Sequence, residues 1–169
     1  GGGRDAGIAI VRALTDGIGA ELADALAEPV PVLPVMAAAR ADGDDLHGRV
    51  AAAQGHVRGF FAGALSPAAE AYLESANQFV LNVLMAATAV MMAAGAGVSG
   101  SRMVVAAGGN GRDFGWKLAE APDAWTVRPA SVPVGPRMPG KEAAPALPAI
   151  GDSAVIDAAG FGAACLRFA

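Results

Sequence analysis

The hydrophobic positions in the first part of the chain recur with the spacing of helices. Between residues 5 and 27 the apolar side chains are three or four residues apart, at Ile8, Val11, Leu14, Ile18, Leu22 and Leu26. This spacing predicts an amphipathic helix, whose middle is weakened by Gly17 and Gly19. The stretch PVPVLP (29–34) predicts a rigid extended link, and a short helix is expected over 35–41.

Two capping signals predict the helices that follow. Asp44 lies in the turn ADGDDL (41–46) and is a suitable N-cap for a helix that runs to about Gly63. Ser66 and Pro67 then open another helix, with serine as the cap and proline at the first helical position.

This last helix continues into a long uncharged run. Phe79 to Ser101 contains 23 positions without a charged residue or a histidine, which is long enough to span a bilayer. Much of the run is alanine and glycine, amide side chains stand near its start, and no basic flank marks an inside end. We therefore interpret the run as a long buried core helix rather than a membrane segment.

After Gly100 the hydrophobic pattern changes to that of strands. Residues 103–107 are a short apolar run, and apolar and polar residues alternate with a period of two in 112–118. Residues 125–129 predict a further short strand. Helices first and strands second predict an α+β fold, with a helical N-terminal half followed by a small antiparallel, hairpin-based sheet.

The end of the chain predicts a loop and then a helix. Residues 129–148 contain six prolines, which is typical of a loop. Residues 151–168 predict a C-terminal helix capped by Asp152 or Ser153. The amides at the start of such a helix could also receive an anion.

The segment GGNGRDFG (108–115) joins the first two predicted strands. Gly109 and Gly111 have the spacing of a dinucleotide-binding loop, but Phe114 stands at the third glycine position. A strand pattern follows instead of a helix, so no helix N-terminus is available for a pyrophosphate. Asn110-Gly111 is the preferred sequence of a type I′ turn, which predicts a hairpin.

Composition and charge exclude several classes of function. The formal charge is −4 and no Lys/Arg cluster is present, which argues against nucleic-acid binding. One cysteine, Cys165, fits a reducing compartment such as the cytoplasm, and with two histidines it cannot form a zinc site of the usual spacings. Because the sequence begins GGGRD without a methionine, we expect a fragment of a longer protein.

Several short motifs resemble one known family. They are HGR (47–49), NQFVLNVLMAA (77–87), GGNGRDFG (108–115), Trp125, PG (139–140) and GDSA (151–154). In order and spacing they resemble the YlbE-like family, which includes the large subunit of oxamate carbamoyltransferase from anaerobic allantoin degradation. The resemblance covers residues 36–169, the C-terminal part of the family domain, and residues 1–35 match only loosely.

The resemblance implies a carbamoyltransferase that requires no cofactor and no metal. Its substrates would be small anions, namely oxamate- or oxalurate-like compounds and phosphate or carbamoyl phosphate. Its partners would be FdrA-like and other subunits of the complex, and no membrane would be involved. The implied catalytic residues are His47, Asn110 and Asp113. The implied substrate-binding residues are Arg49, Asn77, Asn82, Gly111, Asp152 and Ser153.

The same residues also have structural explanations. Asp45 and Arg49 are spaced as an i,i+4 surface pair, with His47 in the first turn of the predicted helix among free amides. Gln78 and Asn82 would share one helix face, where they could hold the hairpin or contact a ligand. The alternative to an enzyme is a non-catalytic scaffold subunit of a multi-subunit complex.

Overall fold

The computed structural model describes residues 5–135, 137 and 139–162, and the chain divides into two compact units. The described part of the first unit, Gly1–Val83, is helical, whereas the second unit, Leu84–Ala169, contains a four-stranded sheet. The predicted α+β class is therefore confirmed.

The N-terminal helix is interrupted where the sequence places glycine. Helix α1 spans Asp5–Ala13 and α2 spans Gly19–Ala25, and a π-type turn, Leu14–Ile18, joins them. Within this turn Gly17 has a φ of 134°, a conformation that side-chain-bearing residues avoid. The prediction of one continuous helix over 5–27 is therefore wrong at its middle.

Helix α3, Val32–Ala41, begins inside the proline-rich stretch. Pro34 is the third helical residue, and the amides of the first turn have no helical acceptor, so proline is tolerated there. The predicted extended link over 29–34 is thus wrong for its second half.

Helix α4, Ala51–Arg58, starts later than its capping signal predicts and continues as a 3₁₀ turn over Gly59–Phe61. Asp44 nevertheless caps it, because its Oδ2 accepts a 2.7 Å hydrogen bond from the Ala53 amide. Helix α5, Pro67–Ser75, begins as predicted, with the Ser66 hydroxyl accepting from the Ala69 amide at 3.3 Å.

A buried glutamine of the first unit links helices α4 and α5 to the start of the helix that follows them. Gln54 on α4 donates through Nε2 to the Leu73 carbonyl on α5 at 2.9 Å. Its Oε1 accepts from the amide of Val80, the first residue of α6, also at 2.9 Å. Both ends of the amide are satisfied inside a core formed by Leu22, Val35, Met36, Ala39, Leu46, Val50, Ala53, Val57, Phe61, Ala69, Leu73 and Val80.

The predicted long helix is divided. Helix α5 ends at Ser75 and α6 spans Val80–Ala93, with a bend of 80° between them. The 14 residues of α6 extend about 21 Å, less than the roughly 30 Å of a bilayer core. Within the described residues no single helix is long and apolar enough to cross a membrane. Helices α5 and α6 taken together have sufficient length and apolar composition, but they are bent relative to each other.

Burial of α6 is confined to one stripe. Val80, Leu84, Thr88 and Met92 are buried and lie four residues apart, whereas Val90 is 73% exposed. Ala86, Ala89 and Ala93 are also exposed. The predicted buried core helix is therefore buried on one side only, because an apolar composition does not determine which faces have a partner.

The sheet of the second unit has the order β3-β2-β1-β4, and all its neighbours are antiparallel. The strands are β1 (Val104–Asn110), β2 (Asp113–Leu118), β3 (Ala121–Pro129) and β4 (Ile150–Gly151). The predicted hairpin is confirmed, since Ala107 pairs with Trp116 and Gly109 with Phe114. The third predicted strand is also present and starts earlier than expected.

Helix α7, Ala154–Ala158, packs on β1 and buries Val155 and Ile156. It is shorter than the predicted C-terminal helix, and residues 163–169 of that prediction lie outside the described residues. Five residues give no extended row of amides at the start, so the expectation that this helix receives an anion is not supported.

Candidate functional site

The sheet of the second unit carries an open groove of about 510 Å³. Three of the predicted site residues, Asn110, Asp113 and Asp152, line it. Trp125 and Val127 on β3 line it as well and are about half exposed, and the lining also includes glycines of β1 and β2 and both residues of β4, Ile150 and Gly151. The structure thus brings part of the predicted site together within one unit.

Close packing explains the glycines of GGNGRDFG. A Cβ atom at Gly109 would lie 3.0 Å from the carbonyl carbon of Ala149, and one at Gly108 would lie 3.1 Å from the Gly151 oxygen. On the next strand, a Cβ at Gly115 would lie 3.1 Å from the Trp125 ring. Glycine is required at position 109 and favoured at 108 and 115, because neighbouring backbone and an aromatic ring approach closely, and no phosphate has to be invoked.

The hairpin turn is held by a side-chain amide. Asn110 Oδ1 accepts from the amides of Arg112 at 2.9 Å and Asp113 at 2.7 Å. Gly111 has a φ of 84°, whereas Arg112 is not left-handed. This is the pattern of a type II′ turn with Asn110 before it, so the predicted type I′ turn with Asn110 in its centre is wrong in detail.

The groove is acidic. Two acidic residues, Asp113 and Asp152, are among the residues that line it, and no Lys, Arg or His is among the described lining residues. Two cations stand beside it: Arg112 Nε is 3.7 Å from an Asp113 oxygen, and Lys117 Nζ is 5.1 Å from the centre of the Trp125 ring. A bound anion would therefore need positive charge from outside the lining.

His47 and Arg49 lie in the loop before α4, not in its first turn as predicted. The amides of His47, Gly48 and Arg49 are not free, because all three donate to Oδ1 of Asp45 at 2.7–2.9 Å. The predicted pair is present, with Arg49 Nε 3.6 Å from Asp45 Oδ2. It is not a pair of two surface groups, since the side chain of Arg49 is 64% exposed but that of Asp45 only 4%.

Asp45 titrates below its ordinary range. Burial by itself raises the pKa of this carboxyl group, but the hydrogen bonds from the three amides and the charge of Arg49 outweigh it. The pKa is therefore lowered, and the carboxylate stays ionised within the loop.

The predicted amide residues lie around the start of α6. Asn77 and Gln78 are exposed in the turn before the helix, so Gln78 does not share a helix face with Asn82, contrary to the prediction. Asn82 is exposed in the first turn and donates through Nδ2 to the Phe79 carbonyl at 3.0 Å.

Ser153 occupies the N-cap position of α7 but makes no capping hydrogen bond with its side chain, contrary to the predicted cap. Asp152 precedes it, and its main-chain carbonyl accepts from the Val155 amide at 3.4 Å. Asp152 is one of the residues that line the groove.

Sequence reasoning missed Gln54 and the central role of Asp45. Gln54 stands one residue after Ala53 on the buried stripe of α4, and a polar residue on such a stripe is the signal that could have found it. Asp45 was identified only as a partner of Arg49. Among the described residues no group of three or more His, Cys, Asp or Glu side chains is arranged to hold a metal ion.

The sequence of this chain is similar to that of a known protein family and to that of a known protein. The sequence pattern of the family described as oxamate carbamoyltransferase subunit AllG matches residues 5–153. The oxamate carbamoyltransferase subunit AllG of Escherichia coli (strain K12) is 33% identical over 95 residues, which are 56% of this chain and 23% of that protein. The predicted resemblance to an oxamate carbamoyltransferase subunit is thereby confirmed.

A solved structure has a similar fold. It is the crystal structure of a conserved protein of unknown function from Enterococcus faecalis V583, with a TM-score of 0.69 and 24% sequence identity. The match covers 82% of this chain and 35% of that protein. The chain therefore spans only a minor part of the length of either relative.

Proposed function

Because the chain belongs to the family of oxamate carbamoyltransferase subunit AllG, we propose that it is part of a subunit of an oxamate carbamoyltransferase-type enzyme. This reaction moves a carbamoyl group between phosphate and the nitrogen of oxamate or a related amide. The family match over residues 5–153 is the observation that carries the proposal. The resemblance of the motifs to the YlbE-like family implies the same activity.

The proposed chemistry assigns each candidate residue a task. The nitrogen of oxamate forms a bond to the carbamoyl carbon as the carbon–oxygen bond to phosphate breaks, and the nitrogen gives up a proton. Within the second unit, Asp113 accepts this proton and Asn110 polarises the carbamoyl oxygen. His47 is the proposed catalytic residue of the first unit. Arg49 binds a carboxylate or phosphate through its planar fork. The remaining substrate-binding positions are Asn77, Asn82, Gly111, Asp152 and Ser153.

The contacts of Asn110 support its proposed role. Its Oδ1 already accepts two amide hydrogen bonds within the turn. The remaining hydrogen-bonding capacity of the side chain is therefore mainly in the two donors of Nδ2. A donor is what a developing oxyanion requires. A carboxylate at the same position would hold the turn equally well but could not donate.

One observation favours the second candidate function, a non-catalytic scaffold subunit. The described lining of the groove contains two carboxylates and no cation, whereas oxamate and phosphate are anions. For the enzyme, the cation at this groove must come from Arg112 or Lys117, or from another part of the complex. In either case we propose a cytoplasmic location and FdrA-like and other subunits as partners.

Trp125 provides a direct test of ligand binding, because its ring is 53% exposed and lines the groove. The Trp116→Phe variant leaves Trp125 as the one tryptophan of the chain. Oxamate and inorganic phosphate should change its fluorescence saturably, and acetate at equal ionic strength should not. Indistinguishable responses to all three anions would reject the groove as the substrate site.

A reconstituted complex separates the enzyme from the scaffold. Carbamoyl transfer from carbamoyl phosphate to oxamate is measured with the partner subunits and the full-length homologue of this chain, carrying the native residue or Asn110→Asp. Loss of turnover with the complex still assembled supports a catalytic role. Retained turnover assigns this subunit the scaffold role.

A further inference from the structure

The loop before α4 is built around the carboxylate of Asp45. Oδ1 accepts the amides of His47, Gly48 and Arg49 at 2.9, 2.7 and 2.9 Å. The main chain closes on itself as well, since the Arg49 carbonyl accepts from the amides of Asp45 and Leu46 at 3.2 and 3.1 Å. The loop therefore has one well-defined conformation.

Leu46 fixes this loop to the core. Its φ of 68° is left-handed, which is unusual for a residue other than glycine, and its side chain is completely buried. The surrounding structure must compensate for the unfavourable backbone conformation. Burial of Leu46 and the hydrogen bonds to Asp45 are the interactions that do so.

Arg49 leaves this rigid loop with one side of its guanidinium engaged. The ion pair with Asp45 runs through Nε at 3.6 Å, while the arginine side chain is 64% exposed. A guanidinium that is held at Nε can still bind a carboxylate or phosphate through Nη1 and Nη2. Holding one end also lowers the conformational entropy lost when an anion binds.

We propose that Asp45 is a positioning residue that acts through Arg49, presenting its Nη atoms to a small carboxylate or phosphate. The proposal rests on the proposed function for the ligand of Arg49. It adds that the buried carboxylate, which touches no substrate, controls the affinity for the anion.

Binding to the 169-residue chain tests this role, with oxamate and inorganic phosphate as separate probes in isothermal titration. Asp45→Asn keeps the size of the side chain and one acceptor oxygen but removes the charge that pairs with Arg49. It should weaken binding of at least one probe roughly tenfold. Asp42→Asn is the matched control, because Asp42 is an exposed carboxylate paired with His56, and it should change the affinity less than about twofold.

A double-mutant cycle separates positioning from general destabilisation. Arg49→Lys keeps a charge but loses the fork, so in this background Asp45→Asn should have little further effect on binding. An equal, roughly tenfold loss in both backgrounds overturns the proposal. If Asp45→Asn does not fold, Asp45→Glu, which displaces the charge by one methylene, replaces it in the cycle, and unchanged affinity in that variant overturns the proposal as well.

The two hypotheses fail in different ways. If the wild-type chain binds neither oxamate nor phosphate, the anion role of Arg49 fails and the positioning role of Asp45 fails with it, whereas the proposed function is tested separately by turnover of the reconstituted complex. If it binds one of them and Asp45→Asn binds equally well, only the positioning role of Asp45 fails. The NMR chemical shift of Arg49 Nε–H gives a readout independent of ligand: a larger change in Asp45→Asn than in Asp42→Asn supports the contact, and equal changes in both variants reject it.

Discussion

Gly109 on β1 passes so close to the carbonyl group of Ala149 that a side chain at position 109 would collide with it. A Cβ atom there would lie 3.0 Å from the Ala149 carbonyl carbon and 3.3 Å from the ring of Phe114. Both the strand and the segment leading into β4 would have to move apart. The glycine-rich stretch is therefore explained by the packing of the sheet.

Gly109→Ala should destabilise the protein by about 2 kcal/mol, as expected when extra volume is forced into a packed site. The urea unfolding midpoint measures the change, provided that the slope is unaffected. Gly135→Ala is the matched control, since nothing lies within 4 Å of its Cβ position, and it should change stability by less than about 0.5 kcal/mol. Equal midpoints for both variants would contradict the close approach.

Asn110 is predicted to stabilise the hairpin through its oxygen. Asn110→Ala removes the acceptor of the Arg112 and Asp113 amides and should cost about 1 kcal/mol in urea unfolding. Asn110→Asp keeps an acceptor and should recover most of this loss. In the proposed function the aspartate variant should nonetheless lose oxamate binding, because it lacks the Nδ2 donors. If Asn110→Asp regains both stability and oxamate binding, Asn110 is not part of the substrate site.

Local signals in the sequence predicted the sheet better than the helices. The period of two in 112–118 and the Asn110-Gly111 pair identify the hairpin, because strand alternation and turn residues act over a few positions. The turn type was predicted incorrectly, since it depends on which two residues fall between the paired strands, and that register is set by the whole sheet.

Helix α6 shows why apolar composition was insufficient to predict the break before it and the burial of its faces. An uncharged run from 79 to 101 gives no sign of the bend before Val80 or of the exposed side at Val90. Burial depends on the presence of a neighbouring element, which is not encoded within the run itself. Asp44 shows that capping is also hard to predict from local sequence. It caps α4 by accepting from the amide of Ala53, nine residues further along the chain, although it is not the residue directly before the helix.

The candidate site was predictable in part. Family motifs identified Asn110, Asp113 and Asp152, which line one groove. Whether His47 and Arg49 of the first unit belong to the same site remains a prediction. The contribution of Asp45 was not predictable, because the convergence of three amides on one carboxylate, beside a left-handed Leu46, is a property of the folded loop and not of residue spacing.

Gln54 is predicted to be among the most important polar residues of the first unit. Gln54→Leu preserves much of the volume but leaves the Leu73 carbonyl and the Val80 amide without their buried partner. Loss of stability by about 2–3 kcal/mol is expected in urea unfolding. The other glutamine of the chain, Gln78, is exposed, and Gln78→Leu should stay within about 0.5 kcal/mol of the wild type. A smaller effect at position 54 than at 78 would show that the link between the helices contributes little.

Asp45 should make the stability of the protein dependent on acid pH. Its pKa is lower in the folded chain than in the unfolded chain, because three amides and Arg49 favour the carboxylate. A carboxyl group of this kind stabilises the fold at pH values above its unfolded pKa of about 3.9. That contribution is lost as the pH falls through the lower, folded pKa.

The comparison of wild type with Asp45→Asn tests this dependence. Above about pH 5 the wild type should be more stable by about 1–2 kcal/mol, the range of hydrogen bonds to a charged group. The difference should shrink as the pH falls below about 4, because the wild-type carboxylate becomes protonated and the asparagine does not titrate. Urea unfolding between pH 2.5 and 7 measures both curves. Asp42→Asn should lose stability at acid pH as the wild type does, since Asp45 is unchanged in this variant. A constant difference in stability between wild type and Asp45→Asn at all pH values would refute the lowered pKa of Asp45.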